Sequence, residues 1–253
     1  MKRLIFSFVC WVELLFVSCF PHPNEYIVGG VEADIENFPY QLSLRINGRH
    51  MCGGSIISSE WALTAAHCVM SAQSSDVSFR AGSTISTSGG ELVQATQLFT
   101  HPDFNPSNGD YDVALVSVSN AFDGNNIGVI TLPAAGTPLP IGDAATISGW
   151  GLTSASDAVN PTELQYVTVT ILTQSECVQD YAAFGGVDNM LFCAGQTGHD
   201  SCQGDSGGPI VVSSVQVGVV SGGVGCANPK YPGLYTNVAD PKIRNWITQI
   251  AGI

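Results

Sequence analysis

The 253-residue chain is short of charge, and of positive charge above all. Eight Lys and Arg stand against 21 Asp and Glu, a formal net charge of −13. A surface of that sign repels phosphate backbones and anionic headgroups, which argues against nucleic acid or a membrane as partner. There is no Cys-x-x-Cys pair and no Cys/His spacing of a zinc site, so no metal and no cofactor is expected. No Asn-x-Ser/Thr sequon survives, because Asn105 and Asn160 are each followed by proline. Internal repeats, low-complexity tracts and long linkers are also missing. No apolar run is suited to span a bilayer, since the nearest, Leu4–Phe20, is short and broken by Glu13.

That run follows Lys2 and Arg3 and reads as a secretory signal, residues 1–19, cut after Cys19. Its removal takes Cys10 and Cys19 out of the cysteine count. Cys52, Cys68, Cys177, Cys193, Cys202 and Cys226 remain, an even number in a secreted chain. Three disulfides are expected, with about 15 pairings open from counting alone.

What is present is mostly strand. "DVALVSV" (112–118), "QYVTVTIL" (165–172) and "PIVVSSVQVGVVSGG" (209–223) are rich in Val and Ile, and 28 Gly and 13 Pro supply tight turns. The pattern is all-β, of barrels or sandwiches. The stretch Asn120–Pro140 is the candidate crossing between two β units. One helix is predicted, at the C-terminus. Asp240 is a good N-cap, Pro241 suits the first helical position, and Ile243, Trp246, Ile247 and Ile250 share one face.

Ser206 lies in "GDSGGP". A serine hydroxyl is a weak nucleophile that needs an adjacent base, and the glycines let amides approach a substrate carbonyl. The same residues also suit a plain glycine-rich turn. The candidate base is His67 in "LTAAHC". The candidate orienting carboxylate is Asp112, which opens an apolar strand where a lone charge is costly. Asp110, two residues earlier in a polar run, is its rival. His, Asp and Ser in these settings support a hydrolytic triad. Their chain order, without alternating strands and helices, excludes the α/β-hydrolase arrangement.

"IVGG" (27–30), "LTAAHC", "DYDVALV", "SGWG" (148–151) and "DSCQGDSGGP" come in the order and at the spacing of the chymotrypsin-like secreted serine endopeptidases, and the chain resembles that family from Ile27 to Ile253. The resemblance implies two six-stranded antiparallel Greek-key barrels with the active site between them and a C-terminal α-helix. The first barrel would span about 27–132, the second about 133–240, and the helix 241–253. It implies the roles of general base for His67, orienting carboxylate for Asp112 and nucleophile for Ser206. The amides of Gly204 and Ser206 would form the oxyanion hole. It selects the pairings Cys52–Cys68, Cys177–Cys193 and Cys202–Cys226. It makes residues 20–26 a propeptide cut after Tyr26, whose removal frees the Ile27 amine to fold onto Asp205. It places Asp200 on the floor of the primary specificity pocket, with Ser201 beside it and Ser221, Gly223 and Gly233 as walls. Arg and Lys would then be preferred at the cleaved bond. The implied partners are protein or peptide substrates, protein protease inhibitors and an activating protease that cuts after Tyr26. The enzyme is expected to be a secreted, extracellular monomer.

Departures from the family matter too. Gly222 stands where a Trp usually walls the cleft, and Gly109 where a bulkier residue covers the second subsite. The stretch Ala81–Glu91, where vertebrate relatives hold calcium, is short and offers only Glu91, so calcium is not expected. His50 and His101 read as surface or loop residues. Two rival readings are a non-catalytic homologue acting as a binding module, and a protease of chymotrypsin-like or elastase-like preference.

Overall fold

Short apolar runs punctuated by Gly, Ser and Asn fold here as strands. The computed structural model describes residues 30–154, 159–196, 198–228 and 230–253. The expected signal segment 1–19, the expected propeptide 20–26 and Ile27 lie outside the described residues. In chain order the strands are β1 (Val31–Glu32), β2 (Gln41–Ile46), β3 (Arg49–Ser58), β4 (Trp61–Thr64), β5 (Val77–Ala81), β6 (Glu91–Thr100), β7 (Ala114–Val118), β8 (Ala144–Gly149), β9 (Gln165–Ile171), β10 (Leu191–Gly195), β11 (Pro209–Val212), β12 (Val215–Gly222) and β13 (Gly233–Asn237).

Strands β2 to β7 close an antiparallel barrel in the order β2-β3-β4-β7-β6-β5. Strands β8 to β13 form a second, closed by the pairing of β8 with β9, and β1 adds a two-residue antiparallel pairing to β9. The two six-stranded barrels expected from the sequence are the observed fold. Two hairpin turns show how local chemistry sets it. Asn47 and Gly48 take φ of 51° and 77° between β2 and β3, the left-handed pair that matches strand twist. Ser213 and Ser214 do the same between β11 and β12, with φ of 48° and 65°, so a run that reads as continuous strand is a hairpin.

The helices are α1 (Ala66–Val69), α2 (Gln174–Asp180) and α3 (Pro241–Ala251). Only α3 was predicted. The Asp240 carboxylate accepts from the N–H groups of Lys242 (2.9 Å) and Ile243 (3.2 Å) at its start. Its buried Ile243 and Ile247 join the core of the first barrel, so the end of the chain buttresses its beginning. Beneath α3, His101 is 4 % exposed, stacked on Tyr111 and edge-on to Trp246. It is a loop residue just beyond β6, but a buried one and not a surface one. Helix α2 carries a capping box, in which Thr173 and Glu176 satisfy each other's backbone N–H. Among the described residues no helix is long and apolar enough to cross a membrane.

Each barrel has its own apolar interior, built on residues such as Leu42, Phe79 and Leu115 in the first and Ile147, Phe192 and Ile210 in the second. Buried polar side chains fix one barrel against the other. Ser55 of β3 donates to Gln216 of β12 (2.6 Å), and Ser148 of β8 donates to Gln41 of β2 (2.6 Å). Such bonds are directional where apolar packing is not, and they set the cleft geometry.

The Ala81–Glu91 stretch is organised by arginine. The Arg80 guanidinium, on a residue only 8 % exposed, donates to the carbonyls of Ser86, Thr87 and Gly89, and Arg45 also reaches Ser86. These carbonyls are already directed at a fixed internal cation. Arg80→Met is therefore expected to destabilise the fold by about 2–3 kcal/mol, the scale of charged hydrogen bonds lost from a buried site. A chelator should leave Tm unchanged. Thermal unfolding of both proteins, with and without chelator, checks this. A chelator-induced drop in the unmutated chain would mean that the loop holds a metal.

Candidate active site

His67 leaves β4 on the short helix α1, stapled by the Cys52–Cys68 disulfide. Asp112 lies just before β7, its side chain 3 % exposed against 35 % for His67. A carboxylate so buried needs donors, and it has three. The His67 N–H reaches Oδ1 at 2.9 Å, while His67 Nδ1 and the Ser221 hydroxyl reach Oδ2 at 2.6 and 2.7 Å. Thr236 donates to the Asp112 carbonyl at 2.9 Å, so the second barrel holds this residue as well. Donation from Nδ1 leaves the Nε2 lone pair of a neutral imidazole free to accept a proton. The rival, Asp110, bonds Asn108 (2.6 Å) and faces Asp188. Of the two aspartates, Asp112 is the one that meets the histidine.

Ser206 comes from the second barrel, in a loop that needs glycine. Gly204 and Gly207 take φ of 102° and 80°. A Cβ on Gly207 would fall 2.2 Å from the Thr64 hydroxyl. The Ser206 carbonyl accepts from Gly53 N–H at 2.8 Å. The Cys68 sulfur lies 3.6 Å from His67 Nε2 and 3.7 Å from the Ser206 carbonyl oxygen, so serine and histidine are neighbours across the barrel boundary. Among the described residues no hydrogen bond joins Ser206 Oγ to His67 Nε2. In ligand-free sites such bonds are often long and tighten with substrate. The N–H groups of Asp205, Gly207 and Gly208 are bonded to Cys202, Val220 and Asp205 carbonyls. Those of Gly204 and Ser206 have no backbone acceptor among the described residues.

Three side chains that support this loop escape a sequence reading. His50, taken for a surface residue, is half-buried and bridges the Ser43 hydroxyl (2.9 Å) and the Gly204 carbonyl (3.2 Å). Burial pushes its pKa down to about 4, so it is neutral there. Asn160 donates to the carbonyls of Trp150 (2.7 Å) and Gln203 (3.1 Å). Tyr235, fully buried, places its hydroxyl 3.3 Å from that of Ser201. The His50–Gly204, Asn160–Gln203 and Tyr235–Ser201 contacts join residues far apart in the chain, and no local motif announces them.

Asp205 is wholly buried. Its two oxygens accept from the N–H groups of Gly151 (2.8 Å) and Cys202 (3.0 Å). A Cβ on Gly149 or Gly151 would meet this carboxylate at 2.2 Å, which is why "SGWG" flanks its tryptophan with glycines. Burial pushes the Asp205 carboxyl up to about 7, against those two hydrogen bonds. Among the described residues no cation pairs with it.

A cavity of about 170 Å³ beside Ser206 is lined by Asp200, Ser201, Ser206, Val220, Gly222 and Gly223, among others. It is braced by the Cys202–Cys226 disulfide, while Cys177–Cys193 ties α2 to β10. All three pairings are those the family resemblance implies. Asp200 is 3 % exposed. Its Oδ2 accepts from Ala227 N–H at 3.0 Å, Ser201 lies beside the carboxylate, and among the described residues no hydrogen bond reaches the buried Oδ1. Burial pushes this carboxyl up to about 6. Gly233 is required here, since a Cβ would come within 2.7 Å of Asp200 Oδ1. Gly223 lines this cavity. Ser221 sits beside it, but its hydroxyl is spent on Asp112. Gly222 has open space where a side chain would stand, and Gly109 takes a φ of 78°. Cys52, His67 and Cys68 bring metal-ligating atoms together, but both sulfurs are in the disulfide, which leaves one histidine and no ligand set.

Comparison with known proteins agrees with this geometry. A family model described as Trypsin matches residues 27–247. Trypsin beta of Drosophila erecta is 41% identical over 228 residues, covering 90% of this chain and 89% of that protein. Trypsin alpha of Drosophila melanogaster is 41% identical over 233 residues, 91% of this chain and 90% of its own. Trypsin 5G1 of Aedes aegypti is 39% identical over 235 residues, 90% of this chain and 85% of its own. With two closed barrels and a histidine–aspartate pair set beside the glycine-bound serine, the chain belongs to the trypsin family and is a trypsin-like serine endopeptidase.

Proposed function

We propose that the protein is a secreted endopeptidase that cuts polypeptides after Arg and Lys, made as a zymogen and activated at Ile27. The observation that carries the specificity is the buried Oδ1 of Asp200, which has no hydrogen-bond partner among the described residues. A buried acceptor left unbonded is costly, and a guanidinium or ammonium entering the pocket supplies the missing donor and charge. Ser201 and Tyr235 offer hydroxyls near the same floor for Lys. The absence of side chains at Gly223 and Gly233 leaves room for a long stem.

In the proposed reaction His67 Nε2 takes the proton from Ser206 Oγ as Oγ attacks the carbonyl carbon. The oxygen of the tetrahedral intermediate receives the N–H groups of Gly204 and Ser206. Asp112 holds the imidazole in its tautomer and stabilises the imidazolium. His67 then gives its proton to the departing amine, the C–N bond breaks, and Ser206 is left acylated. A water activated by the same histidine releases the acid and restores the serine. A panel of matched substrates with Arg, Lys, Tyr or Leu before the cut bond tests this reading. Arg and Lys should dominate kcat/KM, and a Tyr or Leu preference would overturn it.

We assign the Ile27 amine as the partner of Asp205. A wholly buried carboxylate with only two amide donors is a strong acceptor for a cation. The pairing raises the amine's pKa above its free value of about 7.7–8.0. The sign follows from that rise. The active form is favoured while the amine is charged and is lost as pH climbs through the raised value. Activity is therefore expected to fall at alkaline pH, and acetylation of Ile27 should remove activity at all pH. An alkaline limb unchanged in the acetylated protein would contradict the assignment. Because Tyr26 cannot pair with Asp200, the zymogen is not expected to activate itself. A chymotrypsin-like protease should be needed, with N-terminal sequencing to report the cut.

A further inference from the structure

Asn160 has no role in the reaction as written, yet its carboxamide bonds to the loop that carries Ser206. Its Nδ2 donates to the Trp150 and Gln203 carbonyls at 2.7 and 3.1 Å. The Gln203 carbonyl also accepts the Leu152 N–H at 2.8 Å. The Gln203 C=O and the Gly204 N–H belong to one planar trans peptide, so they point in opposite directions. Two donors on that oxygen therefore fix where the Gly204 N–H is aimed. Such fixing matters at this position. Gly204 has a φ of 102°, and glycine moves between left- and right-handed conformations at little cost. A flip would turn the Gln203 carbonyl oxygen towards the site where the substrate oxygen becomes negative. On the far side the Gly204 carbonyl is held by His50 at 3.2 Å. The carboxamide also lies directly against the glycine, since a Cβ on Gly204 would fall 2.1 Å from Asn160 Nδ2.

We propose that Asn160 is a positioning residue: by holding the Gln203 carbonyl it locks the Gln203–Gly204 peptide with the Gly204 N–H facing the cleft. The inference rests on the reading that this N–H receives the acyl oxygen. It predicts a loss confined to the transition state. Removing an oxyanion donor outright costs about 10²–10³ in kcat. In Asn160→Ala the Leu152 N–H still holds the carbonyl, so kcat should fall about tenfold, with KM within about twofold. Asn160→Asp, the same shape without a donor and with charge facing two carbonyl oxygens, should lose more.

The experiment compares three ligands on the unmutated, Ala and Asp proteins: a peptide aldehyde ending in arginine, the matching alcohol, and benzamidine. The aldehyde adds to Ser206 and forms the oxyanion, the alcohol does not, and benzamidine fills only the primary pocket. The expected result is an aldehyde affinity lowered by the same factor as kcat, with alcohol and benzamidine affinities unchanged. Loss of benzamidine affinity in step with the aldehyde would mean general loosening and overturn the proposal, as would unchanged kcat and aldehyde affinity in both variants. If Asn160→Ala does not fold, the isosteric Asp variant gives the same ratios. Equal binding of aldehyde and alcohol by the unmutated enzyme would instead overturn the oxyanion reading itself.

Discussion

Asp112→Asn is expected to lower kcat by roughly 10⁴, the loss seen when the same change is made in a related triad, with little change in stability. Asp112 accepts from the His67 N–H, from His67 Nδ1 and from the Ser221 hydroxyl. An asparagine has one acceptor oxygen and one donor amide in the same space. If its NH₂ faced the His67 backbone N–H, two donors would oppose each other. The favourable arrangement turns the oxygen there and the NH₂ towards Nδ1. The imidazole must then carry its proton on Nε2, where it cannot accept one from Ser206. The Ser221 hydroxyl rotates to suit either atom, so the fold is preserved and only the tautomer is wrong. Ser206→Ala should abolish the acyl-enzyme burst altogether. Pre-steady-state kinetics together with thermal unfolding of both variants check this. A folded Asp112→Asn enzyme with near-normal kcat would show that Asp112 is not the orienting carboxylate.

The features legible in the sequence are those set by short-range pattern. The β7 and β9 runs, the Asp240 cap and the apolar face of α3 are local statements, and the structure places them within a few residues of the reading, whereas the 209–223 run divides into β11 and β12. The Thr173–Glu176 capping box was equally local and would have revealed α2. His50 illustrates what sequence pattern cannot give. Nothing in "GRHMC" says that its ring meets Gly204, because that contact depends on two barrels closing and then docking. The Ser221–Asp112 bond likewise crosses the cleft, and the Asn160–Gln203 bond joins loops brought together only when the second barrel closes. The loop position of His101 was legible, but its burial was not, because that comes from α3, far along the chain, folding back over Tyr111.

The second large effect is expected at Asp200, where substitution by serine should lower kcat/KM for Arg and Lys substrates by roughly 10²–10⁴. This is the 3–5 kcal/mol that follows when one partner of a buried ion pair is removed. The cationic substrate side chain would be largely desolvated in a cavity of about 170 Å³ with no counter-charge at its floor. Tyr and Leu substrates, which never used the carboxylate, should be unaffected or modestly improved. The same group predicts a pH dependence for ligand binding. Burial holds the Asp200 carboxyl near 6 in the free enzyme, above its ordinary value of about 3.9. Only the ionised form pairs with a cation. Benzamidine affinity should therefore be full above pH 6 and fall about tenfold per unit below it, until the lower pKa of the complex is reached. In Asp200→Ser that acid limb should vanish along with most of the affinity. Calorimetric titration of benzamidine between pH 4 and 8, on both proteins, reads the two effects at once. An acid limb that persists in the serine variant would move the titrating group away from Asp200. A serine variant that kept its Arg and Lys preference would remove Asp200 from the floor of the pocket.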